Sequence, residues 1–143
     1  MFNNSRIAIY NYIENIMKNV SDNIYTMGEP SENMESDVDD GFILIKVGVL
    51  NDDSEFEGEA YAWARCNVTA YVPKKTHGRL NKELYKSFED SINSEIKIAQ
   101  NDSESAIYIL PDSVISMDDD ENLQQGNQYH VFVKSFVVVI DQS

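Results

Sequence analysis

Residues 60–72 read AYAWARCNVTAYV, a stretch in which small and large side chains alternate with unusual regularity. Successive side chains of a β-strand point to opposite faces of the sheet, so this alternation predicts a strand with two unlike faces. A face of small side chains lets a helix lie close against the sheet. The small face carries Ala60, Ala62, Ala64, Cys66, Val68, Ala70 and Val72, and the large face carries Tyr61, Trp63, Arg65, Asn67, Thr69 and Tyr71.

The large face of this strand predicts a surface with aromatic side chains on the side of the sheet away from the helices. Tyr61, Trp63 and Tyr71 combine apolar rings with polar atoms, and such residues are enriched at protein interfaces. Three arrangements remain open: another segment of the chain covers the rings, another subunit covers them, or they are ordinary half-exposed strand aromatics.

Outward from this strand, the pattern predicts one α+β domain over residues 1–143. Apolar residues at steps of three and four predict helices over 5–21 and 82–100, the second capped by Asn81. We expect one antiparallel sheet, with mixed pairing left open, of about four long strands with both helices on one face, in the order α-β-β-α-β-β. The other predicted segments are an acidic mobile connector at 22–40, strands at 41–51, 106–110 and 128–141, and a brief segment at 114–117.

In the predicted strand at 41–51 both faces are partly apolar, and the alternation assigns each residue to one of them. One face is predicted to carry Ile43, Ile45, Val47 and Val49, and the other Phe42, Leu44, Lys46 and Leu50.

The chain is strongly acidic, with 25 acidic and 11 basic residues among 143 and a formal net charge of -14. Such an excess repels nucleic-acid phosphate and anionic membranes, and it favours basic partners or simple solubility. Fifteen of the acids lie in three stretches, at 29–40, 52–59 and 118–121. We therefore expect the charge to be concentrated in connections rather than spread over the body of the domain.

The single cysteine and the spacing and length of the apolar stretches indicate the cellular location. Cys66 cannot form a disulfide within the chain, which favours a reducing compartment. The apolar residues after the N-terminus are spaced as in a helix rather than grouped as in a signal peptide. No stretch approaches the roughly 18 consecutive apolar residues of a membrane helix. We expect a soluble intracellular protein without a membrane partner.

No motif for catalysis, cofactor binding or metal binding stands out. Cys66 and His130 are candidates for a thiolate–imidazole pair, but Cys66 lies on the small apolar face, where a thiol packs as an inert side chain. Residues 73–79, PKKTHGR, lack the pattern of a phosphate-binding loop. The acidic stretches that begin at Asp37 and Asp118 lack the glycine or the glutamate of a calcium loop. We expect no catalytic, cofactor-binding or metal-binding residues and no enzymatic activity, although folding can still bring carboxylates together.

The basic loop at 73–79 is the only concentration of basic residues in the chain. We hypothesise that it meets the acidic stretch 52–59 of the next subunit, in a head-to-tail contact that repeats around a ring. Together with the three aromatic residues, the candidate subunit-contact residues are Tyr61, Trp63, Tyr71, Lys74, Lys75, Arg79, Asp52, Asp53, Glu55 and Glu57.

The order of elements, the chain length and the boundary VPKKTHGRLNKEL at 72–84, in which a strand ends before the second helix, carry a family resemblance. The chain resembles the tail terminator, or tail completion, proteins of bacteriophages and the related small neck and head–tail connector proteins. The resemblance spans residues 7–140 and lies in architecture and pattern rather than in an invariant motif.

This resemblance implies a structural virion protein, assembled in the cytoplasm of the host bacterium, rather than an enzyme. It implies a ring, commonly a hexamer, that ends the tail tube and joins the tail to the head. The implied partners are further copies of the chain and neighbouring neck and tail proteins. An acidic inner surface would let DNA pass through the lumen without specific binding.

A second class of function is also consistent with the composition: an acidic soluble protein-binding module, such as a nucleic-acid mimic. A mimic needs carboxylates spaced along a rigid face. Here the carboxylates are grouped in predicted loops, which favours the structural role.

Overall fold

A computed structural model of the protein describes residues 2–26, 40–53, 61–102, 106–117 and 129–141. Its elements in chain order are α1 (Phe2–Met17), β1 (Ile24–Thr26), β2 (Phe42–Val47), β3 (Asn51–Asp53), β4 (Tyr61–Pro73), α2 (Lys82–Gln100), β5 (Ile107–Ile109), β6 (Ile115–Met117) and β7 (Tyr129–Asp141).

The two longest strands, β4 and β7, form the centre of one sheet. They pair antiparallel over 13 residues, from Tyr61 opposite Asp141 to Pro73 opposite Tyr129. The strand order is β1-β2-β4-β7-β5, with β3 beside β4 and β6 beside β7. Because β1 runs parallel to β2 whereas the other pairs are antiparallel, the sheet is mixed.

The prediction of an α+β fold with both helices on one face of a sheet is therefore confirmed, whereas the strand count and order differ. The sheet has seven strands among the described residues, and only β4 and β7 are long. The strand predicted at 41–51 is divided into β2 and β3, and β1 was not predicted.

The small face of β4 lies beneath the helices, as its alternation predicted. Ala62, Ala64 and Ala70 are completely buried and belong to one hydrophobic core with both helices and β7. An alanine side chain ends at Cβ, so larger helix side chains can pack directly on the sheet. Those helix residues are Ile9, Ile13 and Met17 of α1 and Phe88, Ile92 and Ile96 of α2.

The second helix begins where its cap predicted. The Asn81 side-chain oxygen accepts a hydrogen bond from the Leu84 backbone N–H at 3.3 Å, which satisfies one of the unpaired donors of the first turn. The first helix, predicted over 5–21, instead occupies Phe2–Met17 and is followed by a turn at 18–20. Neither described helix has the length and apolar character needed to cross a membrane.

The connector predicted at 22–40 is not entirely irregular. Ile24–Thr26 forms β1, because Ile24 packs against the core and Tyr25 contacts the ring of Phe42 edge-on. The first part of the predicted connector therefore contains a short strand, at apolar residues that precede the acidic stretch. Residues 27–39 lie outside the described part of the chain.

The segment between β2 and β3 is one residue longer than the part of β4 that it faces. Val47 lies opposite Cys66, and Asn51 lies opposite Trp63. Three residues, 48–50, thus face the two residues of β4 between those partners. This count is that of a β-bulge, which bends the strand and shifts its side-chain alternation by one position.

The bulge reverses the predicted faces of Val49 and Leu50. Val49, predicted to share a face with Ile43, Ile45 and Val47, is 77% exposed, whereas Leu50 packs against the core with those residues. The Gly48 N–H donates to the Arg65 carbonyl oxygen at 2.8 Å, and a Cβ on Gly48 would lie 2.9 Å from that oxygen. The close approach of the two backbones therefore favours glycine at this position.

Helix α1 supplies the hydrogen bonds at the edge of β2 next to the bulge. The Arg6 guanidinium donates to the Val47 carbonyl oxygen at 2.7 Å, and the Val47 N–H donates to the Tyr10 hydroxyl at 3.2 Å. β1 pairs with β2 only as far as Ile45. The side chains of Arg6 and Tyr10 therefore supply hydrogen bonds to the β2 backbone at Val47, beyond the end of β1. The helix thus fixes the position of the bulge.

Enlarging the small face should separate the helices from the sheet. We predict that Ala64→Leu lowers the free energy of unfolding by about 1–3 kcal/mol, because a completely buried site has no room for the added carbons. Introducing leucine at a half-buried site on the opposite face of β4, by Thr69→Leu, should change the free energy of unfolding by less than about 0.5 kcal/mol. Urea denaturation followed by circular dichroism measures both. Equal effects of the two substitutions would contradict the packing described here.

Candidate interaction surface

The face of the sheet opposite the helices, here called the outer face, is covered by no helix among the described residues. The register assigns to it Tyr71, Thr69, Asn67, Arg65, Trp63 and Tyr61 of β4. The residues of β2 and β7 that lie opposite these positions belong to the same face. The two ends of this face differ in how their apolar side chains are covered.

At the Pro73 end of β4, aromatic rings of the chain cover one another. The rings of Phe42 and Tyr71 stack with centroids 4.6 Å apart, and the ring of Tyr129 meets both edge-on. Tyr71 is only 3% exposed as a result. The sequence left three arrangements open for the outer aromatic rings. Tyr71 shows the first of them, in which another segment of the chain covers the ring.

At the Tyr61 end of β4, Trp63 and Arg65 are exposed, whereas Val137 and Val139 of β7 are buried. Trp63 is 38% exposed and lies in a row with Val139 of β7 and Tyr108 of β5. In the next row Arg65 lies opposite Val137 and donates to the Ser135 hydroxyl at 3.0 Å. Tryptophan and arginine, both exposed here, are among the side chains that contribute most to protein interfaces.

The middle of the outer face is polar and cationic. Lys46 and Arg65 are exposed. Asn67 lies opposite Lys46 of β2 and Ser135 of β7, two residues from Arg65 along β4. The Asn67 side-chain oxygen is buried and has no hydrogen-bond partner among the described residues. On a chain with a net charge of -14, two cations in this position suit a partner that supplies carboxylates or hydrogen-bond donors.

A short turn holds β5 and β6 together along the outer edge of β7. The Leu110 N–H donates to the Val137 carbonyl oxygen at 2.8 Å, and the Val137 N–H donates to the Ser113 hydroxyl at 2.9 Å. That hydroxyl in turn donates to the Leu110 carbonyl oxygen at 2.6 Å. The turn fixes the edge at which Leu110 and Ile115 are 42% and 49% exposed.

The basic loop has a defined backbone that presents its cations to solvent. Lys75 and Arg79 are exposed and joined by a hydrogen bond from the Lys75 N–H to the Arg79 carbonyl oxygen at 2.8 Å, while Lys74 is half-buried. The ring of His130 lies 3.3 Å from the Gly78 carbonyl oxygen. Gly78 has a φ of 75°, a conformation that glycine adopts without strain.

The acidic candidate residues lie at the other end of β4. In β3, Asp52 is opposite Ala62 and Asp53 is opposite Tyr61, while Tyr61 itself is half-buried. Glu55 and Glu57 lie outside the described residues. A strand of 13 residues spans about 40 Å, so β3 and the basic loop that follows Pro73 cannot meet within one chain.

The structure separates the cysteine and the histidine that were candidates for a catalytic pair. Cys66 lies opposite Phe136 and is completely buried under the helices, whereas His130 lies opposite Val72, six residues further along β4. Burial raises the pKa of the Cys66 thiol to about 12. In the described ranges, no group of three histidine, cysteine, aspartate or glutamate residues is arranged to hold a metal ion.

Sequence reasoning did not select Val49, Leu110 and Ile115 as contact residues. For Leu110 the available signal was Pro111, since a proline beside a strand is typical of an edge. The exposure of Val49 depends on the bulge, which the alternation does not reveal.

No protein-family model and no curated protein matches this chain.

The raised thiol pKa gives a direct test of the packing at Cys66. At pH 8 a thiol with a pKa of about 12 is ionised to about one part in ten thousand, and the thiolate is the reactive form. We predict that Cys66 of the native protein reacts with a disulfide reagent far more slowly than free cysteine does. In urea, where the chain is unfolded, Cys66 should react at the same rate as free cysteine. Fast reaction of the native thiol would show that the helices do not seal the small face.

Proposed function

We propose that this protein is a structural virion component of the phage neck and tail, of the tail terminator or head–tail connector type. It assembles into a ring, commonly of six subunits in the family it resembles, and joins the tail to the head. It acts through shape and self-association and not through catalysis.

The observation that carries this proposal is the separation of opposite charges along β4. The basic residues Lys74, Lys75 and Arg79 follow one end of the strand, and Asp52 and Asp53 lie beside the other, about 40 Å away. A subunit with unlike ends associates head to tail, and a head-to-tail contact closes into a ring when its rotation allows. Self-association is thus favoured by the charge pattern as well as by the family resemblance.

The acidic character of the chain suits a ring through which DNA passes. A net charge of -14 repels phosphate, so DNA in the lumen would not adhere to the wall. The proposed location is the virion, after assembly in the cytoplasm of the host bacterium. The proposed protein partners are other copies of the chain and adjacent neck and tail proteins.

The alternative, a nucleic-acid mimic, is less well supported by the described surface. A mimic needs a row of carboxylates on a rigid face, whereas the middle of the outer face carries Lys46 and Arg65. The exposed side of α2 is also mixed in charge, with Lys82, Lys86 and Asp90 among its exposed residues.

Charge reversal in the basic loop tests the proposal. We predict that Lys74→Glu combined with Arg79→Glu raises the dissociation constant of the oligomer about tenfold or more at low salt, because attraction between subunits becomes repulsion. Light scattering across a concentration series measures the mass. Lys82→Glu combined with Lys86→Glu is the matched control, since it changes the net charge equally on the exposed side of α2.

If the loop variant keeps the mass of the wild-type oligomer, the charged contact is wrong. If the two variants weaken association equally, general repulsion and not the loop is responsible. Negative-stain images of the wild-type protein should show closed rings. A particle that remains a monomer at every concentration, also when mixed with tail tubes, would contradict the proposed function.

A further inference from the structure

The outer face carries a group of cationic and apolar side chains that the charged-loop contact does not use. This group, here called the outer patch, consists of Lys46, Val49, Trp63 and Arg65, all of which are exposed. Val49 is 77% exposed and Trp63 is 38% exposed. Large apolar side chains that are exposed together at fixed backbone positions mark interaction surfaces.

The register of the sheet places the two cations and the tryptophan side by side. Trp63 and Arg65 are alternate residues of β4, so they share the outer face. Lys46 of β2 lies opposite Asn67, which is the next residue of β4 on that face. The three side chains therefore follow one another along β4, in the order Lys46, Arg65 and Trp63.

The bulge adds Val49 to the same group. The N–H of the preceding Gly48 donates to the Arg65 carbonyl oxygen at 2.8 Å, so the bulge lies directly beside Arg65. Leu50 packs against the core under the helices, which leaves Val49 on the outer side of the sheet. An exposed aliphatic side chain thus lies next to the guanidinium-bearing residue.

The two cations of the outer patch have no carboxylate partner. Among the described residues, neither Lys46 nor Arg65 forms an ion pair. The Arg65 guanidinium donates to the Ser135 hydroxyl at 3.0 Å, which fixes its position and leaves its other N–H groups free to bind. Two cations held close together repel each other, and carboxylates from a partner would relieve that repulsion.

The spacing of the two cations matches an extended peptide. Lys46 and Arg65 lie on adjacent strands and two residues out of step, so their Cα atoms are about 8 Å apart. Alternate residues of an extended segment point to the same side and are about 7 Å apart. A segment that runs along β4 can therefore present one carboxylate to Lys46, the next to Arg65 and an apolar side chain to Trp63.

We infer that the outer patch binds an extended acidic segment of a partner protein. This segment has two carboxylate residues at alternate positions and an apolar residue two positions further. The carboxylates pair with Lys46 and Arg65, and the apolar side chain packs on Trp63 and Val49. The inference goes beyond the proposed ring, because the outer patch contains none of the residues of the charged-loop contact.

The charges favour a peptide over a nucleic acid as the partner. A nucleic acid carries a negative charge at every nucleotide, and a chain with a net charge of -14 repels such a polyanion. A short segment with two carboxylates gains both ion pairs and adds little repulsion. The apolar part of the outer patch, Val49 and Trp63, also suits a peptide side chain.

The fluorescence of Trp63 tests the inference, because Trp63 is the only tryptophan of the chain and belongs to the outer patch. The probe is the synthetic peptide Glu-Ala-Glu-Ala-Leu with both ends blocked. We expect the peptide to shift the Trp63 emission to shorter wavelength in a saturable way, since its leucine covers an exposed indole ring.

Two control peptides separate charge from spacing. Gln-Ala-Gln-Ala-Leu has the same shape without the charges. Ala-Glu-Glu-Ala-Leu has the same charge, but its adjacent carboxylates point to opposite sides of an extended chain. We expect both control peptides to bind at least about threefold more weakly than the probe at low salt.

Variants of the protein locate the binding. Lys46→Gln combined with Arg65→Gln should abolish the preference for the probe over its glutamine analogue. Lys82→Gln combined with Lys86→Gln is the matched control, since it removes the same charge from the exposed side of α2. Because Arg65 also bonds Ser135, Lys46→Gln alone is measured as well and should weaken binding about threefold, with circular dichroism confirming the fold.

Four results would overturn the inference. They are the absence of a saturable shift up to about 1 mM probe, equal binding of the three peptides, equal losses in the patch and control variants, and tighter binding of an oligothymidylate than of the probe. A shift that appears on concentrating the protein alone, and that the patch variant lacks, would instead identify a second copy as the occupant. The mass from light scattering is measured separately, so failure of the peptide to bind leaves the test of the ring intact.

Discussion

The close approach of α1 and α2 to the alanine-rich face of β4 is the constraint on which the rest of the structure depends. Ala62, Ala64 and Ala70 are completely buried, so the helices fill one side of the sheet. Since α1 must stay close to the sheet, Arg6 and Tyr10 reach the backbone of Val47 and hold the bulge beside β4. The position of exposed Val49 thus follows from the small side chains at the centre of the sheet.

The same constraint leaves the outer face to be covered in other ways. At one end the rings of Phe42, Tyr71 and Tyr129 cover one another, which removes apolar surface from water without another layer. At the other end Trp63 and Arg65 remain exposed. The cationic residues of the outer face can attract acidic surfaces of other proteins, and those of further copies of this acidic chain.

Local sequence patterns predicted the features that depend on neighbouring residues along the chain. The alternation in β4 correctly predicted that Ala64 faces the helices and Trp63 faces away, and Asn81 correctly predicted the start of α2. The features that were missed depend on contacts between distant segments. The bulge that exposes Val49 is defined only by the register of β2 and β3 against β4.

The same reason explains the incomplete prediction of the candidate surface. The alternation placed Tyr71 on the outer face, but its burial depends on Phe42 and Tyr129 from two other strands. The exposure of Leu110 and Ile115 follows from the turn that Ser113 fixes against Val137. Such contacts cannot be read from the composition of one segment.

Further copies of the chain are proposed to meet at the two oppositely charged ends of β4. Hydrogen exchange measured by mass spectrometry at increasing protein concentration distinguishes this contact from packing within one copy. We predict that amide exchange slows with concentration in β3 at 51–53 and in the basic loop at 74–79, while exchange in the middle of α2 stays unchanged. Identical exchange at all concentrations in β3 and in the basic loop would show that the charged ends do not meet.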